Sequence, residues 1–86
     1  MRRQYQYSVW PDNSVEQFNK ACTQIEKNIP IISKRKLVVD VDGSTIQIYT
    51  GMNNKEIVIF DDFEVGAVYI DSDIDLSRLF KEIQLL

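Results

Sequence analysis

The side chains best suited to chemistry in this 86-residue chain are carboxylates, concentrated in its C-terminal third. Seven acidic residues and no basic one lie between Lys55 and Arg78, namely Glu56, Asp61, Asp62, Glu64, Asp71, Asp73 and Asp75. The chain has no histidine, so it lacks the commonest general base near neutral pH and the usual imidazole ligand of zinc. Catalysis would depend on carboxylates, Lys, Tyr or Ser. We therefore expect a protein that is not an enzyme and that uses no metal or cofactor.

Three of these carboxylates have the spacing of a calcium loop. Asp71, Asp73 and Asp75 stand at positions one, three and five, and Glu82 stands at position twelve. Position six, where such a loop needs glycine for a sharp turn, is Leu76. Acidic residues at a helix start also complement the exposed N–H groups of the first turn. We therefore interpret this segment as the beginning of a helix.

A second pattern lies at residues 37–45, Leu-Val-Val-Asp-Val-Asp-Gly-Ser-Thr, which resembles the first motif of the haloacid dehalogenase family of phosphotransferases. The resemblance implies a nucleophile at Asp40 and an acid/base at Asp42, and residues 57–62 are similar to that family's later strand with paired aspartates for magnesium. Those motifs belong to parallel strands, whose crossovers need about a dozen residues or more. Another strand-like run fills the interval from Asp42 to Glu56. We therefore predict a β-hairpin here, with positive φ at both turn residues.

A nucleic-acid interface would use basic and aromatic side chains of the N-terminal half. These are Arg2, Arg3, Lys34, Arg35, Lys36, Tyr5, Tyr7 and Trp10. The chain has a formal net charge of −3 and a sequence pI of about 4.8, whereas nucleic-acid-binding domains carry a basic excess. We therefore predict no nucleic-acid partner.

Five segments are predicted to be strands, and polar and apolar residues alternate in the first three of them, which is the pattern of strands with one buried face. The predicted strands are residues 3–9, 36–41, 45–50, 56–60 and 65–70. Turn residues at Asp42-Gly43, 51–54 and 61–64 separate the last four strands. These four strands should therefore form an antiparallel meander.

Two further segments have apolar residues at intervals of three and four, the pattern of amphipathic helices. The first runs from a capping box at Ser14 and Gln17 to Pro30, and Cys22 lies in its apolar stripe as an inert core thiol. The second starts at Asp75 as N-cap. Its apolar face comprises Leu76, Leu79, Phe80 and Ile83.

The expected fold is a single α+β domain over residues 1–86, in the order β-α-β-β-β-β-α. Two helices would cover one face of a four- to five-stranded, mainly antiparallel sheet. No segment approaches the roughly 20 apolar residues of a membrane span, and residues 4–8 do not form the apolar core of a signal peptide. A single cysteine suits a reducing compartment, so we expect a cytoplasmic protein.

The charge distribution favours a binding function. Residues 1–55 hold eight basic and five acidic groups (net +3) and residues 56–86 hold two and eight (net −6), which sum to −3. Carboxylates gathered in one exposed patch would attract a basic partner. We predict a non-enzymatic module that docks on a basic protein, for example an immunity protein that inhibits a nuclease-type toxin. The predicted partner-binding residues are Asp61, Asp62, Glu64, Tyr69, Asp71, Asp73 and Asp75.

Two other functions remain open on the sequence. An assembly module would form homo-oligomers through aromatic and apolar sheet residues, with Tyr5, Tyr7, Trp10, Tyr49 and Tyr69 as candidates. An enzyme would need at least two carboxylates to converge in a concave pocket, from the set Asp40, Asp42, Asp61 and Asp62.

Overall fold

The computed structural model describes residues 4–80, which form one antiparallel sheet and one helix packed on it. The predicted α+β class is therefore confirmed. The elements in chain order are β1 (Tyr5–Trp10), α1 (Val15–Asn28), β2 (Ser33–Lys34), β3 (Val38–Val39), β4 (Thr45–Thr50), a 3-10 turn (Met52–Asn54), β5 (Glu56–Asp62) and β6 (Ala67–Ser72). In this part of the chain, no helix has the length and apolar character needed to cross a membrane.

The six strands lie in the order β1-β6-β5-β4-β2, and β3 also pairs with β4. All of these pairings are antiparallel. Strand β5 therefore lies in the middle of the sheet, and β1 lies at an edge. The register of β1 shifts between Ser8 and Trp10. Such a bulge bends an edge strand and discourages its pairing with another chain.

Helix α1 begins and ends where the sequence predicts. Ser14 Oγ accepts a hydrogen bond from Gln17 N–H at 3.1 Å, which satisfies one of the free N–H groups of the first turn. The helix ends at Asn28, two residues before Pro30. Its buried residues are Phe18, Ala21 and Ile25, at the expected spacing of three and four.

The two faces of the sheet differ because α1 covers only one of them. The covered face and α1 together form the core, which includes Tyr7, Tyr49, Ile57, Ile59, Val68, Ile70 and Leu76 with Phe18, Ala21 and Ile25. Alternate residues of the same strands point the other way. We call that surface the open face because α1 does not cover it, and we define it by Ile46, Ile48, Val58, Phe60, Tyr69 and Asp71. Val58 at its centre is only 3% exposed, and the other five residues are partly buried.

The described part of the predicted C-terminal helix is a turn. The N–H groups of Leu79 and Phe80 both donate to Leu76 O, at 2.9 and 3.0 Å. Leu76 is buried, and its own N–H donates to the Tyr7 hydroxyl at 2.7 Å. Packing against β1 therefore fixes the position of this turn. Residues 4–80 contain one helix where the sequence predicts two, and Ile83 lies outside the described residues.

The strand predicted at residues 36–41 is largely irregular. Only β3 pairs with β4 there, and the unpredicted strand β2 precedes it, so the sheet has six strands instead of four to five. Between β2 and β3, the Gln47 side-chain amide donates to Arg35 O at 2.6 Å, in the place of a backbone donor. Because the Gln47 side chain, and not the β4 backbone, pairs with the Arg35 carbonyl, the strand predicted at residues 36–41 does not form as one continuous strand.

Candidate functional site

Two loops meet at one end of the sheet because β4 and β5 are antiparallel neighbours. The first residue of β4 lies opposite Asp61, near the end of β5. The β3–β4 loop (residues 40–44) therefore lies beside the β5–β6 loop (residues 63–66). The backbone N–H of Phe63 donates to Ser44 Oγ at 2.8 Å and joins the two loops.

Carboxylates from both loops surround one pocket of about 130 Å³. We call Asp40, Asp42, Asp62 and Glu64 the acidic tip. No Lys or Arg lines this pocket. Within residues 4–80 none of the four carboxylates forms an ion pair, whereas Lys34 pairs with Glu26 and Arg35 pairs with Glu56 elsewhere in the molecule. The negative charge of the tip is therefore not neutralised by these residues.

The β3–β4 loop holds two of these carboxylates in place. Val41 N–H donates to the Asp40 carboxylate at 2.8 Å, and Ser44 N–H donates to the Asp42 carboxylate at 2.9 Å. The turn itself is closed by Gly43 N–H, which donates to the backbone carbonyl of Asp40 at 3.0 Å. Gly43 has φ of 91°, whereas Asp42 does not have a positive φ. The predicted hairpin is confirmed, but the expectation of positive φ at both turn residues is wrong. The loop is longer than two residues, and in such loops only the residue after the turn adopts the left-handed conformation.

Asp62 organises the β5–β6 loop. Its Oδ1 accepts hydrogen bonds from Glu64 N–H at 2.9 Å and Val65 N–H at 3.1 Å, and its Oδ2 accepts from the Tyr69 hydroxyl at 2.8 Å. The Tyr69 hydrogen bond, followed by those of the loop amides, lowers the pKa of Asp62 below its ordinary value. Asp62 is therefore held in its charged form at the edge of the tip.

Asp61 lies on the covered side of the sheet. It is only 2% exposed, and its carboxylate accepts from the Asn13 side-chain amide at 3.0 Å and from Ser14 N–H at 3.3 Å. A negative charge beside the start of α1 is favourable because the first N–H groups of a helix are unpaired. In this structure Asp61 fixes the start of α1 and is not part of the exposed surface.

Three apolar side chains are exposed among the tip carboxylates. Val41 is fully exposed, Phe63 is 50% exposed, and Val65 is exposed in the β5–β6 loop. The ring of Phe63 lies against Gly43, where an added Cβ would approach it to 3.3 Å. Exposed apolar residues surrounded by charged ones resemble the centre and rim of a protein interface.

The remaining predicted site residues lie elsewhere. Strand β6 runs away from the tip, so Asp73 and Asp75 lie at the opposite end of the sheet, and Tyr69 and Asp71 lie on the open face between the two ends. Asp73 accepts from the backbone N–H of Glu56 at 3.0 Å. The structure therefore brings Asp62 and Glu64 together but separates them from Asp73 and Asp75.

Asp75 has a structural partner on each side. It accepts from Ser77 N–H at 2.9 Å and from the Tyr7 hydroxyl at 3.3 Å. The Ser77 backbone hydrogen bond is the main cause of its lowered pKa. Within residues 4–80 no cluster of three or more Asp, Glu or Cys side chains has the geometry of a metal site, and Glu82 lies outside these residues.

The aromatic candidates divide between the two faces. Tyr7 and Tyr49 are completely buried in the core, and Tyr5 packs against it. Tyr7 and Tyr49 therefore cannot stack on a nucleic acid or reach a second copy without unfolding. Trp10 is 43% exposed, and Tyr69 lies on the open face.

Cys22 lies beside Tyr49 in the layer between α1 and the sheet, and burial raises the pKa of its thiol. A raised pKa keeps the sulfur in the thiol form, which is the unreactive one. The Tyr49 hydroxyl donates to Glu26 at 2.5 Å, and Lys34 pairs with the same carboxylate at 2.9 Å.

The convergence that an enzyme would require is present at the tip, since Asp40, Asp42, Asp61 and Asp62 all line the same pocket. Each of these carboxylates nevertheless accepts a backbone N–H hydrogen bond, from Val41, Ser44, Ser14 and Glu64 respectively. These hydrogen bonds fix the orientation of the four carboxylates around the pocket. The pocket therefore presents fixed negative charge to whatever contacts it.

Sequence reasoning missed Asp40 and Asp42 as members of this surface, although the signal was available. In a meander of antiparallel strands, alternate loops lie at the same end of the sheet. The Asp42-Gly43 turn and the turn at residues 61–64 are such a pair.

In comparisons with known proteins, no family model, no curated protein and no solved structure matches the chain.

Proposed function

We propose that this protein is a small non-enzymatic binding module whose acidic tip docks on a basic surface of a partner protein. The observation that supports this proposal is the convergence of four carboxylates, without an ion pair in residues 4–80, around the exposed side chains of Val41, Phe63 and Val65. Charge complementarity would steer the partner and orient it, and the apolar side chains would supply contact area.

Hydrogen bonds within the loops make the tip suitable for this role. Asp42 and Asp62 are oriented by loop amides, and the two loops are joined through Ser44. A surface that is ordered before binding loses less conformational entropy when the partner docks. The tip therefore presents its charge in a fixed arrangement.

The specific partner class that we propose is a nuclease-type toxin, with this protein as its inhibitor or immunity protein in the cytoplasm. A nuclease binds phosphate groups through a basic cleft, and fixed carboxylates mimic the charge of that substrate. Steric occlusion of the cleft needs no catalysis and no cofactor.

The test is recovery of a partner from native lysate at low salt with the immobilised full chain, followed by mass spectrometry. The variant Asp42→Asn/Glu64→Gln removes two tip charges and leaves an amide oxygen at position 42 that can accept the Ser44 N–H hydrogen bond. The matched control Glu26→Gln/Asp73→Asn removes two charges at the opposite end of the sheet, where Glu26 accepts from the Tyr49 hydroxyl and Asp73 accepts from Glu56 N–H. We expect the tip variant to recover a basic partner about five- to tenfold less efficiently, whereas the control retains it.

Salt distinguishes this proposal from assembly through apolar surface. Binding through the tip should weaken strongly between about 0.05 and 0.5 M NaCl, because exposed charges are screened over about one Debye length. Homo-oligomers held by apolar contacts would persist, and light scattering would detect them. Equal loss of partner in the tip variant and the control would contradict docking at the tip.

A further inference from the structure

We propose that the open face of the sheet binds an amphipathic, Lys/Arg-rich helix of the partner protein. This inference rests on the proposed function and names the element that the partner presents. The first reason is the composition of β5, where Ile57 and Ile59 pack in the core while Val58 and Phe60 lie on the open face. A strand that is apolar on both faces is typical of a sheet covered on both sides. Within residues 4–80 the one helix lies on the other face.

The apolar part of the open face has the width of a helix. It is formed by Ile46 and Ile48 of β4 and by Val58 and Phe60 of β5. Neighbouring strands lie about 4.8 Å apart, and a helix with its side chains is about 10 Å in diameter. One helix would therefore cover these two strands and place its flanking residues over β6.

Two carboxylates, Asp71 on β6 and Asp62 at the end of β5, provide the charged border of this apolar strip. Asp71 lies on β6 opposite Val58, and Asp62 lies four residues farther along β5. Four strand residues span about 13 Å, which corresponds to roughly eight to nine residues of a helix lying along the strands. Two basic side chains about eight positions apart on one flank of a helix would therefore face Asp62 and Asp71. Arg35 does not neutralise these two carboxylates, because it is paired with Glu56 at 2.8 Å.

Asp71 has an incomplete set of hydrogen bonds. Its Oδ1 is buried and accepts no hydrogen bond from residues 4–80. A buried carboxylate oxygen without a donor is costly, and nearly all such atoms in folded proteins are paired. A Lys or Arg side chain arriving across the open face would supply the missing donor after a small rotation of the carboxylate.

The carboxylates of Asp62 and Asp71 also argue against a second copy of the same chain as the molecule that binds the open face. Two open faces packed together would enclose four carboxylates, Asp62 and Asp71 from each copy, in a region with little water. Like charges in such a place repel strongly. A basic helix gains attraction from the same two residues.

The test uses a synthetic amphipathic helix of Leu and Lys, with Lys about eight positions apart on one flank, titrated into the ¹⁵N-labelled full chain. A matched peptide carries Glu in place of Lys, and a third has the Leu and Lys positions shuffled. We expect amide shifts to cluster at Ile46, Ile48, Val58, Phe60 and Tyr69. The Lys peptide should bind about tenfold or more tightly than the Glu peptide.

The variant Asp71→Asn tests the border without changing the shape of the sheet. We expect it to weaken binding of the Lys peptide about three- to fivefold and not to weaken binding of the Glu peptide. Shifts confined to the tip or α1, no shifts up to about 1 mM peptide, equal binding of all three peptides, or dimers of the free chain that bury this face would each overturn the proposal.

Partner recovery separates this inference from the proposed function. If Asp71→Asn retains the lysate partner while Asp42→Asn/Glu64→Gln loses it, the tip binds the partner and the open face does not. If the peptide binds the open face but both tip and control variants recover the partner equally, the proposed function fails and the peptide result stands by itself. Loss in both the tip and Asp71 variants supports the two together.

Discussion

At the scale of single residues, Asp62 connects the acidic tip to the open face. One carboxylate oxygen binds two loop amides and the other binds the Tyr69 hydroxyl. We expect Asp62→Ala to lower the free energy of unfolding by about 2 to 3 kcal/mol at neutral pH, since all three hydrogen bonds are lost. Asp62→Asn retains an acceptor for the loop amides, so it should cost about 1 kcal/mol, close to the cost of Tyr69→Phe. Urea unfolding measures each value.

The same residue should contribute to acid sensitivity. The pKa of Asp62 is lowered from 3.8 in the folded chain, so its stabilising contribution is complete above the unfolded pKa and is lost as pH falls through the folded one. Between about pH 5 and pH 2, the wild type should therefore lose more stability than Asp62→Asn. Parallel losses in the two proteins, or an Asp62→Ala variant as stable as the wild type at pH 7, would show that these hydrogen bonds contribute little.

At the scale of elements, the two loops of the tip both depend on a glycine with positive φ. Gly43 has φ of 91° and Gly66 has φ of 76°. We expect Gly43→Ala and Gly66→Ala each to cost about 1 to 2 kcal/mol in unfolding free energy, because residues with a Cβ disfavour this conformation. Denaturant unfolding of both variants measures the cost.

Gly66 also serves as the control for the close contact at Gly43. A Cβ on Gly66 meets nothing within 4 Å, whereas one on Gly43 approaches Phe63 to 3.3 Å. Phe63 is half exposed and can turn away, so the excess cost at Gly43 should stay below about 0.5 kcal/mol. A much larger excess would mean that the Phe63 ring is fixed, and the variant Gly43→Ala/Phe63→Ala would then recover the difference.

Local sequence signals predict some of the helices, strands and turns of this fold but not all of them. Local signals sufficed for α1, whose cap at Ser14 and stop at Pro30 are both observed, and for the hairpin at Gly43. They did not suffice for β2, a two-residue strand that pairs with β4, because so short a segment has no periodicity. At Leu76 the described residues form a turn, and the rest of the predicted second helix lies outside residues 4–80.

At the scale of the whole molecule, the candidate site followed only partly from sequence. The acidic excess was visible, but its division between two ends of the sheet depends on the direction of β6 and on long-range pairing. The buried position of Asp61 and the inclusion of Asp40 and Asp42 depend on the same three-dimensional arrangement. Charge counted along a chain therefore indicates that an electrostatic surface exists, and strand pairing determines which residues share it.

Sheet order also predicts where the molecule is most resistant to local opening. Strand β5 pairs on both sides and contributes Ile57, Val58 and Ile59 to buried positions. Strands β2 and β3 pair through two residues each and are exposed. Amides in well-packed central strands open only with global unfolding, whereas short exposed edges open at much lower cost. Hydrogen exchange should therefore be slowest in β5 and in the adjoining part of β6, intermediate in β1, and fastest in β2 and β3. Exchange of β5 at the rate of β2 would contradict the central position on which both proposed surfaces depend.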